Sequence, residues 1–157
     1  SALKRGFSTM KVALAQLNLT VGDIAGNEAK ILAAYHHAIA QGADLMLTPE
    51  LALTGYPPRD LLLRPALVQQ NLAALSRLAA ATGKTGLLVG FVGENATRPG
   101  REVTNAVALL PHGKMLATRA KTLLPTYDVF DEDRYFEPAA SNAPIEFNGM
   151  TLRVLIC

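Results

Sequence analysis

The sequence predicts an α/β fold, in which buried strands first alternate with amphipathic helices and strands alone then follow. Three observations lead to this class. Half of the 157 residues are hydrophobic and 18% are charged, which is typical of a globular domain with a sizeable core. Between residues 11 and 93, short apolar runs alternate with segments of helical periodicity. Two hairpin signals follow, at His112-Gly113 and at Asn148-Gly149.

The first strand and the first helix are predicted from the N-terminal part of the chain. Residues 11–18, KVALAQLN, are apolar and too few for a stable helix, which indicates a buried strand. We expect Asn27 to be the N-cap of the helix, with Glu28 at the positive end of the helix dipole. The helix should run to about Gln41. Its apolar stripe is predicted to contain Ile31, Leu32, Tyr35 and Ile39.

A second strand and a second helix follow in the same alternation. Residues 43–49, ADLMLTP, predict a buried strand that leads into the loop ELALTGYPPRDLL at 50–62, whose paired prolines give it a defined shape. A helix is expected from about Pro65 to Thr82, ended by Gly83. Residues 85–93, TGLLVGFVG, predict the third strand.

The remainder of the chain is predicted to consist mostly of strands. Residues 105–121, NAVALLPHGKMLATRAK, form two strand-like runs joined by a turn, and residues 122–141 are irregular, polar and aromatic. Residues 145–157, IEFNGMTLRVLIC, predict a second hairpin whose last strand runs to the end of the chain. We interpret residues 1–9 as a tag remnant or short extension, and residues 10–157 as one domain without an internal boundary.

Composition excludes several classes of function. The net charge is +2 and the basic residues are scattered, so no footprint for nucleic acid is visible. No apolar stretch is long enough to span a bilayer, and the first residues lack the apolar core of a signal peptide. A single cysteine points to no disulfide framework. No Cys/His pair has metal-ligand spacing, and no glycine-rich phosphate loop is present. We therefore expect a soluble, cytoplasmic protein that contacts neither membrane nor nucleic acid.

Three functional side chains stand at equivalent topological places. Glu50 follows the second strand, Lys121 follows the strand MLATRA, and Cys157 ends the strand TLRVLI. In α/β sheets, ligands bind outside the carboxyl ends of the strands, so these groups could converge if the strands share a sheet and run parallel. A carboxylate could then accept the thiol proton, and the ammonium could stabilise both a thiolate and an oxyanion. This chemistry suits hydrolysis of an amide.

Each residue also has a simpler interpretation. A single cysteine is more often a small buried hydrophobe than a nucleophile, and an isolated loop carboxylate or lysine is usually solvated. A Cys-His-Asp triad is disfavoured, because the histidines lie on a helix or in a turn and should face solvent. These histidines are His36, His37 and His112.

Four blocks carry a family resemblance. MKVALAQLN, LTPELALTGYPPRDLL, AKTLLPTYDVFDEDRYFEP and LRVLIC resemble, in order, the blocks of the nitrilase or carbon–nitrogen hydrolase superfamily, from about Met10 to the last residue. The second and third blocks are the most specific. They resemble the glutaminase domains of glutamine-dependent NAD synthetases more than free-standing nitrilases.

The resemblance implies a nitrilase-like α-β-β-α sandwich, of which this chain holds the first half. It implies a Glu-Lys-Cys triad, matched by Glu50 as general base, Lys121 as oxyanion and thiolate stabiliser and Cys157 as nucleophile. A second glutamate of the family matches Glu132, to which we assign an orienting role toward the lysine or a share in proton transfer. Two aromatic residues are candidates for the wall of a glutamine pocket, with plain loop packing as the alternative; they are Tyr127 and Phe130.

The implied reaction is hydrolysis of the glutamine side-chain amide, with the ammonia passed to a synthetase domain of the same polypeptide that amidates deamido-NAD. No cofactor is expected for the amide step, whereas ATP and magnesium are expected on the synthetase domain. We expect the chain to be truncated at the nucleophile, to leave part of a sheet face exposed, and to form a homo-oligomer. Two alternatives remain: a free-standing amidase or carbamoylase of the same superfamily, and a non-catalytic oligomeric scaffold.

Overall fold

The computed structural model describes residues 9–97, 99–127 and 130–157. The predicted extension therefore lies outside the described residues except for its last residue, as do Asp128 and Val129 of the third family block. The elements, in chain order, are β1 (Val12–Leu14), α1 (Ile24–Ala40), β2 (Leu45–Leu47), a 3-10 helix (Arg59–Leu63), α2 (Pro65–Ala81), β3 (Gly86–Glu94), β4 (Val103–Leu110), β5 (Ala117–Ala120), a 3-10 helix (Glu132–Arg134), β6 (Ile145–Phe147) and β7 (Met150–Leu152).

Five strands form a mixed sheet in the order β1-β2-β3-β4-β5. Strands β1, β2 and β3 pair in parallel, whereas β4 is antiparallel to both of its neighbours, β3 and β5. Strand β5 consequently runs in the same direction as β2, and the carboxyl ends of these two strands lie at the same edge of the sheet. The predicted alternation of strands and helices is confirmed, and so is the α/β class.

Both helices cover one face of the sheet. Tyr35 of α1 donates its hydroxyl hydrogen to the Thr85 carbonyl at 2.6 Å, which ties α1 to the start of β3. Asn71 of α2 makes two hydrogen bonds with the backbone of Val92, one in each direction, at 2.6 and 3.1 Å. Apolar residues of the helices and the sheet fill the space between them, including Ile31, Ala74, Leu78, Leu87, Val89 and Ala108. This layer is the main core of the chain.

The start of α1 differs from the prediction. Asp23 is the N-cap, and its side chain accepts a hydrogen bond from the Gly26 amide. Asn27 instead lies fully buried inside the helix, where its amide group donates to the carbonyl oxygens of Thr20 and Leu53. The first turn contains no acidic residue, so the predicted role of Glu28 at the helix dipole is wrong. The predicted stripe is correct at its buried centre, but Ile39 is 44% exposed.

Both predicted hairpins are present. The turn between β4 and β5 has positive φ at His112 (53°) and Gly113 (77°), and the turn between β6 and β7 has positive φ at Asn148 (50°) and Gly149 (72°). Such backbone angles favour glycine and asparagine, and they match the twist of paired strands. The turn chemistry of the sequence therefore predicted these two connections correctly.

The second face of the sheet is covered in part by the β6-β7 hairpin and the last residues of the chain. Leu45, Leu88 and Val107 on the sheet form an apolar cluster with Ile145 and Phe147 of β6. The hairpin is a separate two-stranded sheet that ends at Leu152, so the predicted strand up to Cys157 is wrong for its last five residues. Val12 and Leu14 of β1 are 45% and 73% exposed, as expected for a partly covered sheet face.

Candidate active site

Two carboxylates surround one ammonium group at the edge of the sheet where β2 and β5 end. Lys121 follows β5 directly, and Glu50 lies three residues beyond β2. The Lys121 Nζ lies 2.8 Å from Glu50 Oε1 and 3.2 Å from the Glu132 carboxylate. The side chains of Lys121 and Glu132 are 3% and 5% exposed, while that of Glu50 is 23% exposed. The predicted convergence of Glu50 and Lys121 is present, and Glu132 joins them.

This cluster lies on the sheet face opposite the two helices. Because strand residues two apart share a face, Gly90 lies on the same face of β3 as Leu88 and Val92. Those two neighbours belong to different apolar clusters. Asn105 of β4 pairs in register with Val92 and faces the same way. The gap between the two apolar clusters is therefore lined by a glycine and an amide, and the polar groups of the site occupy it.

Gly90 allows the chain that carries Glu50 to pass directly over the sheet. A Cβ atom on Gly90 would lie 2.5 Å from the Leu51 nitrogen and 2.6 Å from the Pro49 carbonyl oxygen. The Gly90 amide also donates to Thr48 Oγ1 at 3.0 Å. Leu51 has a positive φ of 49° and is fully buried. The turn after β2 is therefore fixed by the packing of Leu51 as well as by its contacts with Gly90. Glu50 is thereby placed by packing rather than by a flexible loop.

Lys121 and Glu132 are held by backbone hydrogen bonds at the other side of the site. The Lys121 amide donates to the Asn105 carbonyl at 2.8 Å, and the Lys121 carbonyl accepts from Ala139 at 2.9 Å. Glu132 begins a 3-10 helix, and its amide donates to the Pro125 carbonyl at 3.0 Å. The irregular segment predicted after β5 thus folds back over the end of that strand and brings Glu132 to the lysine.

Two further side chains of the site were missed by the sequence interpretation. Asn105 Nδ2 donates to Glu50 Oε1 at 2.6 Å and makes a longer contact of 3.5 Å with Glu132 Oε2. The Tyr56 hydroxyl donates to Glu132 Oε1 at 2.8 Å. A single amide in the apolar run NAVALL and a tyrosine beside the paired prolines were the available signals. Neither residue type alone indicates a site, because such residues also occur as plain structural groups.

The electrostatics of the cluster keep the lysine charged. Burial alone would lower the pKa of Lys121, but the hydrogen bonds and negative charges of Glu50 and Glu132 outweigh it and raise that pKa. The pKa of Tyr56 is also raised, first by burial and then by its hydrogen bond to Glu132. At neutral pH Lys121 is therefore a cation and Tyr56 a neutral donor. Lys121 can stabilise negative charge but cannot act as a base.

Cys157 and Glu50 line one pocket. This cavity of about 230 Å³ is bounded by Thr48 and Glu50 after β2, by Asn105 of β4 and by the last residues, including Cys157. The thiol belongs to an exposed residue. The structure therefore places Cys157 and the base candidate on the lining of one pocket, although the cysteine does not end a strand of the main sheet as predicted. Lys121 lies behind Glu50 and is not among the residues that line this pocket.

The two aromatic candidates do not line the pocket that contains Cys157. Phe130 lines a second pocket, of about 330 Å³, together with Tyr56 and Glu132. Tyr127 is 69% exposed, and its ring contacts the Phe130 ring edge-on with 5.7 Å between the centroids. The Phe130 ring therefore adjoins a carboxylate of the cluster, and the Tyr127 ring packs against the Phe130 ring. A role for either ring in a glutamine pocket stays a prediction.

The side chains that a Cys-His-Asp triad or a metal site would require do not form a site among the described residues. His36, His37 and His112 are all exposed, as predicted. Across residues 9–97, 99–127 and 130–157, no group of three or more His, Cys, Asp and Glu side chains could hold a metal ion. Within these same ranges, no helix combines the length and the apolar character needed to cross a membrane. The charged cluster among the described residues therefore consists of two carboxylates and an ammonium, and the thiol of Cys157 shares a pocket with one of the carboxylates.

Comparison with known proteins gives a consistent picture. The family model described as carbon-nitrogen hydrolase matches residues 11–157. The glutamine-dependent NAD(+) synthetase of Synechocystis sp. is 47% identical over 150 residues, covering 93% of this chain and 27% of that protein. The chain spans about a quarter of the length of the curated relatives it matches.

Solved structures resemble the chain as well. The glutamine-dependent NAD+ synthetase of Acinetobacter baumannii, solved with ADP, superposes with a TM-score of 0.86 at 38% identity, covering 94% of this chain and 27% of that chain. An amidase variant from Nesterenkonia sp. AN1 superposes with a TM-score of 0.79 at 29% identity, covering 94% and 55%. In that amidase the acetamide moiety of fluoroacetamide is covalently added at the active site cysteine.

Proposed function

This chain belongs to the carbon–nitrogen hydrolase family, and we propose that it is the N-terminal part of the glutaminase domain of a glutamine-dependent NAD synthetase. The proposed reaction converts the side-chain amide of glutamine to a carboxylate and ammonia. Cys157 is the nucleophile, Glu50 the general base, and Lys121 the cation that stabilises the thiolate and the oxyanion.

One observation carries this proposal: a charged lysine lies between two carboxylates, and one of these carboxylates shares a pocket with the thiol. The Lys121–Glu50 distance of 2.8 Å and the common lining of the pocket by Glu50 and Cys157 supply the parts of a nucleophilic amide hydrolysis. A buried ion pair alone would be weak support, because such pairs also occur as purely structural contacts. The thiol that lines the same pocket as Glu50 supports a catalytic use of the pair, with the carboxylate as the base for the thiol.

The first half of the reaction forms a thioester. Glu50 takes the proton of the Cys157 thiol, and the sulfur electron pair forms a bond to the amide carbon of glutamine. The carbonyl π electrons move to oxygen, and the negative charge that develops is stabilised by the positive charge of Lys121. The tetrahedral intermediate then collapses, the carbon–nitrogen bond breaks, and Glu50 returns its proton to the leaving nitrogen, which departs as ammonia.

The second half hydrolyses the thioester. Glu50 accepts a proton from a water molecule while the water oxygen bonds to the acyl carbon. The carbon–sulfur bond breaks, glutamate is released, and the thiol regains its proton. Each proton that Glu50 accepts is thus returned within the same cycle, and no redox partner is required.

Glu132 and the aromatic residues have supporting roles in this proposal. Glu132 lies 3.2 Å from the Lys121 Nζ and accepts a hydrogen bond from the Tyr56 hydroxyl, so it is suited to orient Lys121. Phe130, in contact with Tyr127, adjoins the same carboxylate from a pocket that Cys157 does not line. A contribution of these two rings to the glutamine site therefore stays a prediction.

The remaining parts of the proposal concern the whole protein. The ammonia would be used by a synthetase domain that amidates deamido-NAD, with ATP and magnesium bound outside this chain. The homo-oligomeric state and the cytoplasmic location stay predictions. The boundaries are proposed likewise, with residues 1–9 as an extension and residues 10–157 as the N-terminal part of the domain.

A free-standing amidase is the second candidate. The likeness to the Nesterenkonia amidase supports it, since that chain is covered to 55% and carries an active site cysteine. The higher identity to NAD synthetases, 47% and 38% against 29%, favours the glutaminase. The length of the polypeptide beyond Cys157 separates the two candidates directly.

The test replaces Cys157 with alanine in the full-length protein and compares two nitrogen sources. Formation of NAD with glutamine should be lost, whereas formation with ammonium salt should stay near the level of the unchanged protein, because the synthetase domain is untouched. If the Cys157→Ala protein still used glutamine at the unchanged rate, the proposed mechanism would be wrong. If the unchanged protein hydrolysed other amides but never formed NAD, the amidase alternative would be supported instead.

A further inference from the structure

We infer that Asn105 is a positioning residue that selects which oxygen of Glu50 acts as the base. This inference rests on the proposed function, because it concerns the same carboxylate. Asn105 Nδ2 and Lys121 Nζ both donate to Glu50 Oε1, at 2.6 and 2.8 Å. Among the residues that the structure describes, Glu50 Oε2 receives no hydrogen bond. Oε1 is thus restrained by two donors, and Oε2 is the oxygen left for the thiol proton.

Asn105 is built into the frame of the site. Its backbone carbonyl accepts the hydrogen bond of the Lys121 amide at 2.8 Å, while its side chain reaches Glu50 and Glu132. The residue is 1% exposed and lies in the long central strand β4, paired with Val92 of β3. One rigid strand position therefore sets the relative placement of the lysine and of both carboxylates.

The chemistry of the amide fixes its orientation. Both groups that Nδ2 approaches are carboxylate oxygens, which can only accept hydrogen bonds when they are charged. The reversed amide would place Oδ1 against them and would be repelled. Oδ1 is itself buried and has no hydrogen-bond partner within the described parts of the chain. An unpaired buried acceptor is costly, so its presence indicates that the donor side of the amide is what this site requires.

A neutral donor is needed at this position because of the local charge. One ammonium already lies between two carboxylates, so the three side chains carry one net negative charge. Aspartate at position 105 would add a third carboxylate of nearly the same shape as the asparagine. Alanine would remove the donor and leave Glu50 Oε1 with the lysine alone. Both changes should make the charged form of the base less favourable, the aspartate more strongly.

The test compares Asn105→Asp and Asn105→Ala with the unchanged full-length protein in glutamine hydrolysis. We expect kcat/KM to fall by about 10- to 100-fold in each variant, as is typical when a hydrogen bond to a charged group is lost. The acid limb of the pH profile of kcat/KM should move to higher pH, further for aspartate than for alanine. The rate of Cys157 alkylation by iodoacetamide should show the same displacement.

Asn71→Ala is the matched control, because Asn71 is also fully buried and its amide also makes two hydrogen bonds, both to the backbone of Val92 and neither to a carboxylate. It should lower the melting temperature without moving the pH profile. In a Glu50→Gln background, the Asn105 variants should have no further effect on the pH dependence of alkylation, since the group through which they act is gone.

The outcomes separate the two proposals. Glutamine hydrolysis by the unchanged protein, with Asn105 variants whose acid limbs coincide with that of the Asn71→Ala protein, would overturn the positioning role alone. No glutamine hydrolysis by the unchanged protein would overturn the proposed function. Should Asn105→Ala fail to fold, the near-isosteric Asn105→Asp protein and its alkylation profile decide the question.

Discussion

Gly90→Ala should inactivate the site through the backbone that carries Glu50. The added Cβ would lie 2.5 Å from the Leu51 nitrogen, whereas ordinary contact begins at 3.4 Å, so one side must move by about 0.9 Å. Position 90 lies in the centre of β3 and is paired with Val107 of β4, so its backbone cannot move away from the Glu50 segment without disturbing the sheet. The segment around Glu50 is therefore the part that moves.

A displacement of this size is large for the site. The Lys121–Glu50 distance of 2.8 Å would approach about 3.7 Å, which is beyond a hydrogen bond. Misplacement of a reacting group by about 1 Å commonly costs on the order of 100-fold in rate, so kcat/KM for glutamine should fall by about that factor. Overpacking should also destabilise the fold by about 1–3 kcal/mol.

The assay is glutamine hydrolysis by the full-length protein, with ammonium-dependent NAD formation as an internal check on folding. Gly83→Ala is the matched control: a Cβ there meets nothing within 4 Å. That variant should stay within about 0.5 kcal/mol of the unchanged protein in stability and keep its activity. A Gly90→Ala protein with unchanged kcat/KM and unchanged melting temperature would refute the argument that Gly90 places Glu50.

Two further predictions concern the groups around the lysine. Tyr56→Phe removes the 2.8 Å hydrogen bond to Glu132. The variant should lose about 1–3 kcal/mol of unfolding free energy, measured by urea unfolding, and its kcat/KM for glutamine hydrolysis should fall by about tenfold. The same unfolding free energy and the same kcat/KM in both proteins would contradict this prediction. Because the carboxylates raise the pKa of Lys121 above its ordinary value of 10.5, the folded state holds this proton more tightly than the unfolded chain. The resulting stabilisation should be complete below about pH 10.5 and should be lost as the pH rises through the pKa of Lys121 in the folded state. In that pH range the urea midpoint of the unchanged protein should fall with pH, and the midpoint of Lys121→Met should fall less steeply.

Much of the fold was predictable because its signals are local. The hairpins depend on residues such as Asn148 and Gly149, which adopt positive φ at little cost. The predictions of a carbon–nitrogen hydrolase and of its nitrilase-like α/β fold are also confirmed. The start of α1 was missed because asparagine is a favoured N-cap residue, which made Asn27 a plausible first position. In the structure Gly26 lies inside the helix, and the Asp23 side chain caps its amide.

The end of the chain shows the limit of strand propensity. LRVLIC has the β-branched and apolar residues of a strand, but only Leu152 is paired. A strand requires a partner that supplies hydrogen bonds, and residues 153–157 have no partner strand within the described residues. Propensity predicted the conformation that a partner would stabilise, and the partner is not a local property of the sequence.

The residues of the candidate site also differ in how far the sequence could predict them. Glu50 and Lys121 could be predicted to meet, because topology alone places the ends of parallel strands at one edge. Tyr56 and Asn105 could not, since their roles depend on hydrogen bonds to residues 76 and 55 positions away. The charged groups to which the proposal assigns the chemistry were thus predictable from the sequence, whereas the neutral donors that hold them were not.

The most direct test of the central claim is a mass measurement on the full-length protein after reaction with a thiol-alkylating analogue of glutamine. We expect a single adduct on the peptide that contains Cys157, suppressed by excess glutamine and formed much more slowly in Glu50→Gln. A protein that hydrolyses glutamine and yet carries the adduct on another residue, or labels Cys157 equally fast without Glu50, would contradict it.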